Sequence, residues 1–402
     1  MKKVYIVAAK RTAIGKFLGT LASLSPADLA VPVIKNILEE TKIDPAELDE
    51  VIVGNILMAG HKQGIARQAA VKAGIPHSVP AYGLNMICGS GMKSIINACQ
   101  SIRVGDAHLI LAGGTESMSN SSFVISGSTM RNGQKMGDFK ALDHMVCDGL
   151  TDAFADYHMG VTAENIAEKY AISREAQDAF SYQSQQKAIV AIDAGKFKDE
   201  IVPVDIVTKK ETLRFDTDEY PNRATSLEKL AQLRPAFKKD GTVTAGNASG
   251  LNDGASFVLL ASEEAVNKYK VTPLVEIIAS GQGGVDPAIM GMGPVPAIAA
   301  ALQKAQLKLS DMQLIELNEA FAAQSLGVAQ QLCADHGVSS EWLQKIANVN
   351  GGAIALGHPI GASGNRIVVT LIHEMLRREV LLGLASLCIG GGMGTAVIVK
   401  QV

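Results

Sequence analysis

Apolar residues in this chain come in two textures. Short, nearly unbroken apolar runs recur at Val4–Ala9, Val51–Ile56, Leu109–Ala112, Ala255–Ala261, Leu274–Ala279 and Ala396–Lys400. Between them lie longer stretches in which apolar and polar positions alternate at helical spacing. The runs predict buried strands and the stretches predict helices. Ser25, Pro26 and Asp28 supply a cap, a first-position proline and a first-turn acid, predicting a helix to about Thr41 that Pro32 should kink. Further helices are predicted over Thr162–Tyr170, Arg174–Ala194 (capped by Ser173, stopped by Gly195), Ile298–Gln306, Ala320–Cys333 and Ile367–Arg378.

This alternation of strand and helix in the first and last thirds predicts an α/β fold. From about Ser117 to Gly149, Ser, Asn, Gly and Met dominate and periodicity fails, which predicts a long loop region. Charge then accumulates through Lys209–Asp218, predicting an exposed stretch. Residues 117–249 therefore read as an insertion of loops and helices. There is also a faint internal echo. Leu109–Gly114 and Leu387–Gly392 are both apolar runs entering glycines, and Asn85–Gly91 and Gly357–Gly364 are both glycine-punctuated turns entering a helix. Two related α/β halves would explain it.

Composition sharpens this picture only in places. With 402 residues the chain exceeds a single simple core. Thirty-nine glycines beside 4% aromatics suit close packing with many glycine turns. A net charge of −3 argues against a general nucleic-acid binder. No apolar stretch approaches the roughly 18 residues of a membrane span. The run after Lys2-Lys3 ends at Lys10-Arg11, too short for a signal peptide core, so a soluble cytoplasmic protein is expected. The five cysteines (Cys88, Cys99, Cys147, Cys333, Cys388) are odd in number and unclustered, against a disulfide framework. Neither C-x-x-C nor H-E-x-x-H occurs, and no metal site is expected.

The cysteines are then either inert core thiols or nucleophiles. Cys88 stands in Asn-Met-Ile-Cys-Gly-Ser-Gly-Met-Lys-Ser at 85–94, where apolar residues lead through glycines into a helical run. A thiol against a helix N-terminus is expected to have a lowered pKa. A buried cysteine at a tight turn is the competing reading. A P-loop is not, because no glycine directly precedes Lys93. His358 sits in Asn350-Gly-Gly-Ala-Ile-Ala-Leu-Gly-His-Pro-Ile-Gly-Ala-Ser-Gly364, so glycine-rich a loop that a site role outweighs an incidental one. Its imidazole could deprotonate Cys88 or donate to an oxyanion. Cys388 ends an apolar run before Gly390, Gly391 and Gly392, whose N–H groups could form an oxyanion hole. Asn318, in Glu-Leu-Asn-Glu-Ala-Phe-Ala at 316–322, could cap a helix, hold a water or polarise a carbonyl.

Together these motifs resemble the thiolase family: Cys-Gly-Ser-Gly at 88–91, Asn-Glu-Ala-Phe at 318–321, Gly-His-Pro-x-Gly at 357–361 and Cys-x-Gly-Gly-Gly at 388–392. They occur in the family's order over essentially the whole chain, and the resemblance is closest to its bacterial short-chain branch. It implies a thiolase fold: two related βαβ-rich halves forming a five-layered αβαβα core, with residues 1–116 plus 250–270 as one half, 117–249 as the inserted domain and 271–402 as the other half. It implies reversible Claisen condensation of two acetyl-CoA molecules by a ping-pong route. Cys88 would carry the acyl group, His358 would act as its base and Cys388 would remove the α-proton. His358 with a water on Asn318 would hold the enolate, and the N–H groups of Cys88 and Gly390 the acyl-enzyme oxygen. Coenzyme A thioesters would be substrates, with no cofactor.

The inserted region is implied to bind CoA. His158 and Met159 lie in Tyr-His-Met-Gly at 157–160, Ala245 and Ser249 in Val-Thr-Ala-Gly-Asn-Ala-Ser-Gly at 243–250. Phe237, Met290 and Phe321 match further pocket positions. Arg223 is the implied phosphate cation, with a solvated surface charge as the alternative. Lys229 stands where a small polar residue is expected. A bulky Met159 would shorten the acyl pocket and favour a C4 product. A homotetramer is implied, with contacts around 120–137. Two rivals remain: a degradative 3-ketoacyl-CoA thiolase of broader chain length, and a non-catalytic CoA- or lipid-binding protein on the same fold. A malonyl-using synthase is disfavoured by Cys388.

Overall fold

Two sheets of the same plan are joined edge to edge. In the computed structural model, which describes residues 2–207 and 211–402, Glu50–Gly54 runs parallel to Leu109–Ser117, which pairs antiparallel with Asn252–Ser262, which pairs antiparallel with Val4–Thr12. Ala81–Leu84 adds a parallel strand beyond Glu50–Gly54. The second half repeats these directions: Leu314–Leu317 runs parallel to Leu382–Ile389, then Met393–Gln401 and Val275–Gly284 follow antiparallel. The halves meet where Tyr5 and Ile6 pair with Glu276 and Val275. The echo noticed in the sequence is thus a repeat of strand order and direction.

Helices complete five layers. Pro26–Thr41 and Ile65–Lys72 cover the outer face of the first sheet, and Val33, Ile34 and Ile37 pack there with Val51, Leu111 and Leu259. Pro294–Ala305 and Ala322–His336 cover the outer face of the second, where Ala297, Ile298 and Val328 meet Ile315, Leu384 and Ile398. Between the sheets lie two helices, Ser90–Val104 and Ile360–Arg378, and their Ile95, Ile102, Val368 and Ile372 are buried against both sheets. These central helices touch through backbone. A Cβ on Gly91 would come 2.8 Å from the nitrogen of Asn365, and one on Gly364 would come 2.6 Å from that of Met92. Only glycine allows so close an approach.

The insertion departs from the expected pattern in places. Residues 117–149 hold a short hairpin, Phe123–Ile125 with Ala141–Asp143, a helix over Gly127–Asn132, and the π-helical turn Met145–Leu150. Ile201–Val202 rejoins the sheet beside Val4–Thr12. The charged stretch is not uniformly exposed. Lys209 lies outside the described residues, but Asp218 is buried and grips Arg11 through both carboxylate oxygens at 2.7 and 2.9 Å, while Glu200 takes the Arg11 Nε at 2.6 Å. Two carboxylates separated in sequence neutralise a guanidinium that has no water, which periodicity along one segment cannot register.

Element ends also moved. The Leu109 strand continues through Gly113 and Gly114 to Ser117, because a Cβ on either glycine would strike Phe257 or Gly361. The first helix continues through Pro32, with Ser25 accepting the Asp28 N–H as its cap. The central second-half helix starts at Ile360, seven residues before the predicted Ile367, and other helices begin at Met159 and Pro294. In each case glycines or prolines at the start hid the first turn. Among the described residues, no helix is long and apolar enough to cross a membrane.

Candidate active site

Cys88 stands on a turn held rigid from both sides. The Ser90 hydroxyl accepts the Met86 N–H at 2.8 Å and donates to the Ile87 carbonyl at 2.7 Å, and Asn85 Oδ1 accepts the Ile87 N–H at 3.0 Å. Ile87 is forced to φ 45°, a left-handed conformation costly for a β-branched residue. Gly89 then lets the turn close on the second sheet, since a Cβ there would lie 2.3 Å from Ile389. Cys388 therefore arrives beside Cys88 from the end of Leu382–Ile389.

His358 enters from the loop just before the second central helix. Its backbone N–H donates to Asn252 Oδ1 at 2.8 Å, and Gly357, at φ 104°, leaves the room that Asn252 occupies. Its Nδ1 lies 2.6 Å from Ser363 Oγ, and that hydroxyl donates to the Pro359 carbonyl at 3.0 Å. With the Ser363 proton directed to the Pro359 carbonyl, Nδ1 carries the hydrogen and Nε2 is a bare acceptor. Nε2 is buried and has no protein partner among the described residues. Burial, then the Arg366 cation, push the imidazole pKa down to about 3, so it is neutral near pH 7.

Beneath these groups, Glu116 ties the halves together. Its carboxylate accepts from Asn55 Nδ2 and from the backbone N–H groups of Ile56, Leu57 and Gly361 at 2.8–3.1 Å. The Gly361 contact links the first half to the loop bearing His358.

Cys88, Cys388, His358 and Gly390 all line one apolar cavity of about 390 Å³. So do His158, Met159, Phe237, Ala245, Ser249, Met290 and Phe321. His158 caps the helix Met159–Lys169, accepting the Gly160 N–H at 3.0 Å, and stacks on Phe237 with centroids 4.6 Å apart. Phe237 meets Phe321 edge-on at 6.1 Å. Gly160 is needed because a Cβ would fall 2.2 Å from the Phe237 ring. Ala245 and Ser249 are held by the 243–250 segment, whose Ser249 N–H donates to the Ala320 carbonyl and whose Asn247 carbonyl accepts from Ala322.

One expectation changes. The Cys88 thiol pKa is not lowered: burial pushes it up to about 11, only partly offset by the N–H groups of Gly390 and Cys88 itself. Burial and the neighbouring Cys88 push Cys388 further up. The turn supplies donors, but the apolar cavity outweighs them. Asn318 neither caps a helix nor lines the cavity wall. It follows the strand Leu314–Leu317, with both side-chain polar atoms buried and unpartnered among the described residues. Arg223 is absent from the cavity. Its guanidinium pairs with Asp193 at 2.6 and 3.0 Å at the exposed surface.

Ser363, Asn252 and Glu116 escaped sequence reasoning. Polar residues interrupting apolar strands, at 252–253 and 115–117, were the available signal.

The thiolase N-terminal domain profile matches residues 4–264 and the thiolase C-terminal domain profile residues 271–401. The chain is 54% identical over its full length to an acetyl-CoA acetyltransferase of Pseudomonas aeruginosa, covering all of both chains. It superposes on the crystal structure of the Bacillus anthracis acetyl-CoA acetyltransferase with a TM-score of 0.95 at 42% identity, covering 100% of this chain and 99% of that one. Human mitochondrial 3-ketoacyl-CoA thiolase, solved in complex with CoA, gives a TM-score of 0.92 at 46% identity, over 100% and 98% of the two chains. With two adjacent thiols, a neutral imidazole and both family domains spanning its length, the chain belongs to the thiolase family.

Proposed function

We propose that this protein catalyses the reversible condensation of two acetyl-CoA molecules to acetoacetyl-CoA and CoA. The observation that carries this reading is the convergence of Cys88, Cys388, His358 and Gly390 on one apolar cavity. The relatives named acetyl-CoA acetyltransferase support the substrate.

In the proposed sequence, His358 Nε2 takes the Cys88 proton as sulfur attacks the thioester carbonyl, and returns it to the departing CoA thiolate. Acetyl is left on Cys88. Cys388, as thiolate, then removes the α-proton of a second acetyl-CoA, and the resulting enolate carbon attacks the acetyl-Cys88 carbonyl. The C–S bond breaks, the departing Cys88 sulfur takes the proton now held by Cys388, and acetoacetyl-CoA leaves with both cysteines restored. A thiol of raised pKa is a poor standing nucleophile but a strong base once ionised, which suits a weakly acidic α-carbon. The N–H groups of Gly390 and Cys88 support an acyl oxyanion there, since both already reach the Cys88 sulfur. Asn318, with unpartnered amide atoms, is suited to hold the water that faces the enolate.

On this reading CoA thioesters are substrates, no cofactor is needed, and residues 117–249 form the inserted unit between halves 1–116 plus 250–270 and 271–402. The protein is a cytoplasmic homotetramer. Five free cysteines suit a reducing compartment, and the exposed Phe123, Met130, Met136 and Phe139 around 120–137 suit subunit contacts. The second reading, a degradative 3-ketoacyl-CoA thiolase, draws on likeness to the human enzyme and on a cavity wall of Met118, Met145, Val146 and Leu150. Thiolysis rates over a chain-length series test both. Turnover confined to acetoacetyl-CoA supports the first, and appreciable C8–C16 turnover overturns it. Intact-mass measurement with acetyl-CoA should show an acetyl adduct; its absence would favour a non-catalytic binder.

A further inference from the structure

Met145–Leu150 is the one π-helical turn among the described residues. Such turns are rare, and they concentrate at functional sites. Four of its six residues, Met145, Val146, Gly149 and Leu150, line the cavity that holds Cys88. Met145 belongs to an apolar cluster with Leu57, Met118 and Ile360, against which Cys88 itself packs. A Cβ on Gly149 would come 3.2 Å from Ile360, so the turn lies directly on the loop that follows His358. An acyl chain on Cys88 therefore faces this wall.

The wall is braced by the residue that precedes it. His144 is buried, and its ring joins two segments. Nδ1 is hydrogen-bonded to Asp148 Oδ2 within the turn, and Nε2 accepts the Ala59 N–H at 3.4 Å. An amide N–H can only donate, so Nε2 is the acceptor and Nδ1 carries the hydrogen given to the carboxylate. Ala59 is gripped a second time. Its carbonyl accepts the Ser122 hydroxyl at 2.9 Å, and the Ser122 carbonyl accepts the His144 N–H at 3.1 Å. Just upstream of Ala59, the N–H groups of Ile56 and Leu57 donate to Glu116, which also holds Gly361. The brace thus ends on the carboxylate that fixes the His358 loop.

We propose that His144 is a specificity-determining positioning residue: held between Asp148 and Ala59, it keeps the π-turn pressed against the acyl side of the cavity and so limits acyl chain length. This rests on the reading of 3-ketoacyl-CoA as substrate at Cys88. Neither His144 nor Asp148 lines the cavity, so their effect passes through Met145, Val146 and Leu150. If the turn yields, longer chains gain apolar burial, about fourfold in binding per methylene.

The test is steady-state thiolysis of C4, C6 and C8 3-ketoacyl-CoA, read as the ratio of kcat/KM for C6 over C4. His144→Ala should raise that ratio about tenfold. Asp148→Ala, at an exposed position that folding tolerates, should raise it about threefold. Asp148→Asn keeps an acceptor for Nδ1–H and should restore the wild-type ratio. The inference is overturned if His144→Ala and Asp148→Ala lower C4 and C6 turnover equally, as a merely structural role would, or leave the ratio where it was. Failure of the parent reading shows in wild type instead: a protein that cleaves no 3-ketoacyl-CoA, or already turns over C8, defeats that reading and this inference with it. A short-chain wild type with unmoved variants defeats this inference alone.

Discussion

A single hydroxyl decides which nitrogen of His358 is available. Because Ser363 has given its proton to Pro359, it can only accept from Nδ1, and Nε2 is left bare. Ser363→Ala should therefore lower kcat by about tenfold, short of the roughly 10²–10⁴-fold that a general base supplies. Ser363→Thr should recover most of it. A fall confined to KM would contradict this role. The pH behaviour follows from the same burial. With the Cys88 pKa raised to about 11, its alkylation by iodoacetamide should keep accelerating through pH 9–10, and a plateau near pH 7 would refute the assignment. His358, held down to about 3, remains a base well below neutrality, so the acid limb of kcat/KM should show no inflection near 6.5. The sign for stability is set too. Between about pH 6.5 and 3 the unfolded imidazole binds a proton that the folded one refuses, so this residue makes stability drop as the pH is lowered across that window, by about 1.4 kcal/mol per unit. His358→Asn should flatten that slope in denaturant titrations.

At the scale of elements, the site depends on glycines that let chain segments touch. Gly114 faces Gly361, and an added Cβ would lie 2.0 Å from its carbonyl oxygen. Gly114→Ala should cost about 1–3 kcal/mol by overpacking, and should depress kcat beyond the stability loss, because Gly361 lies three residues from His358. Matching kcat to wild type at full folding would disprove the coupling. Arg11→Ala, outside the cavity lining, should cost about 3–5 kcal/mol by stranding Asp218 and Glu200, with kcat of the surviving folded fraction unchanged. Legibility in the sequence divides along the same line. Cys88, His358 and Cys388 were legible because each sits in a local run whose glycines and strand end state the geometry. Asp218, Glu116 and Asn252 were not, because their partners are Arg11, Gly361 and His358, a hundred or more residues away. The direction of the Cys88 shift was misread for the same reason: the helix start is local, whereas the apolar walls come from the insertion and the other half.

For the molecule as a whole, the repeated plan accounts for where the chemistry lies. The turn before Ser90–Val104 and the turn before Ile360–Arg378 occupy equivalent places in the two halves, and they carry Cys88 and His358 respectively. Points related by a two-fold operation face each other across its axis whenever they lie near it. Proximity of thiol and imidazole is therefore a property of the doubled architecture, already present before any particular side chain is chosen. What the sequence had to supply was difference: sulfur at one of two matched positions, nitrogen at the other, and a proton free to travel between them.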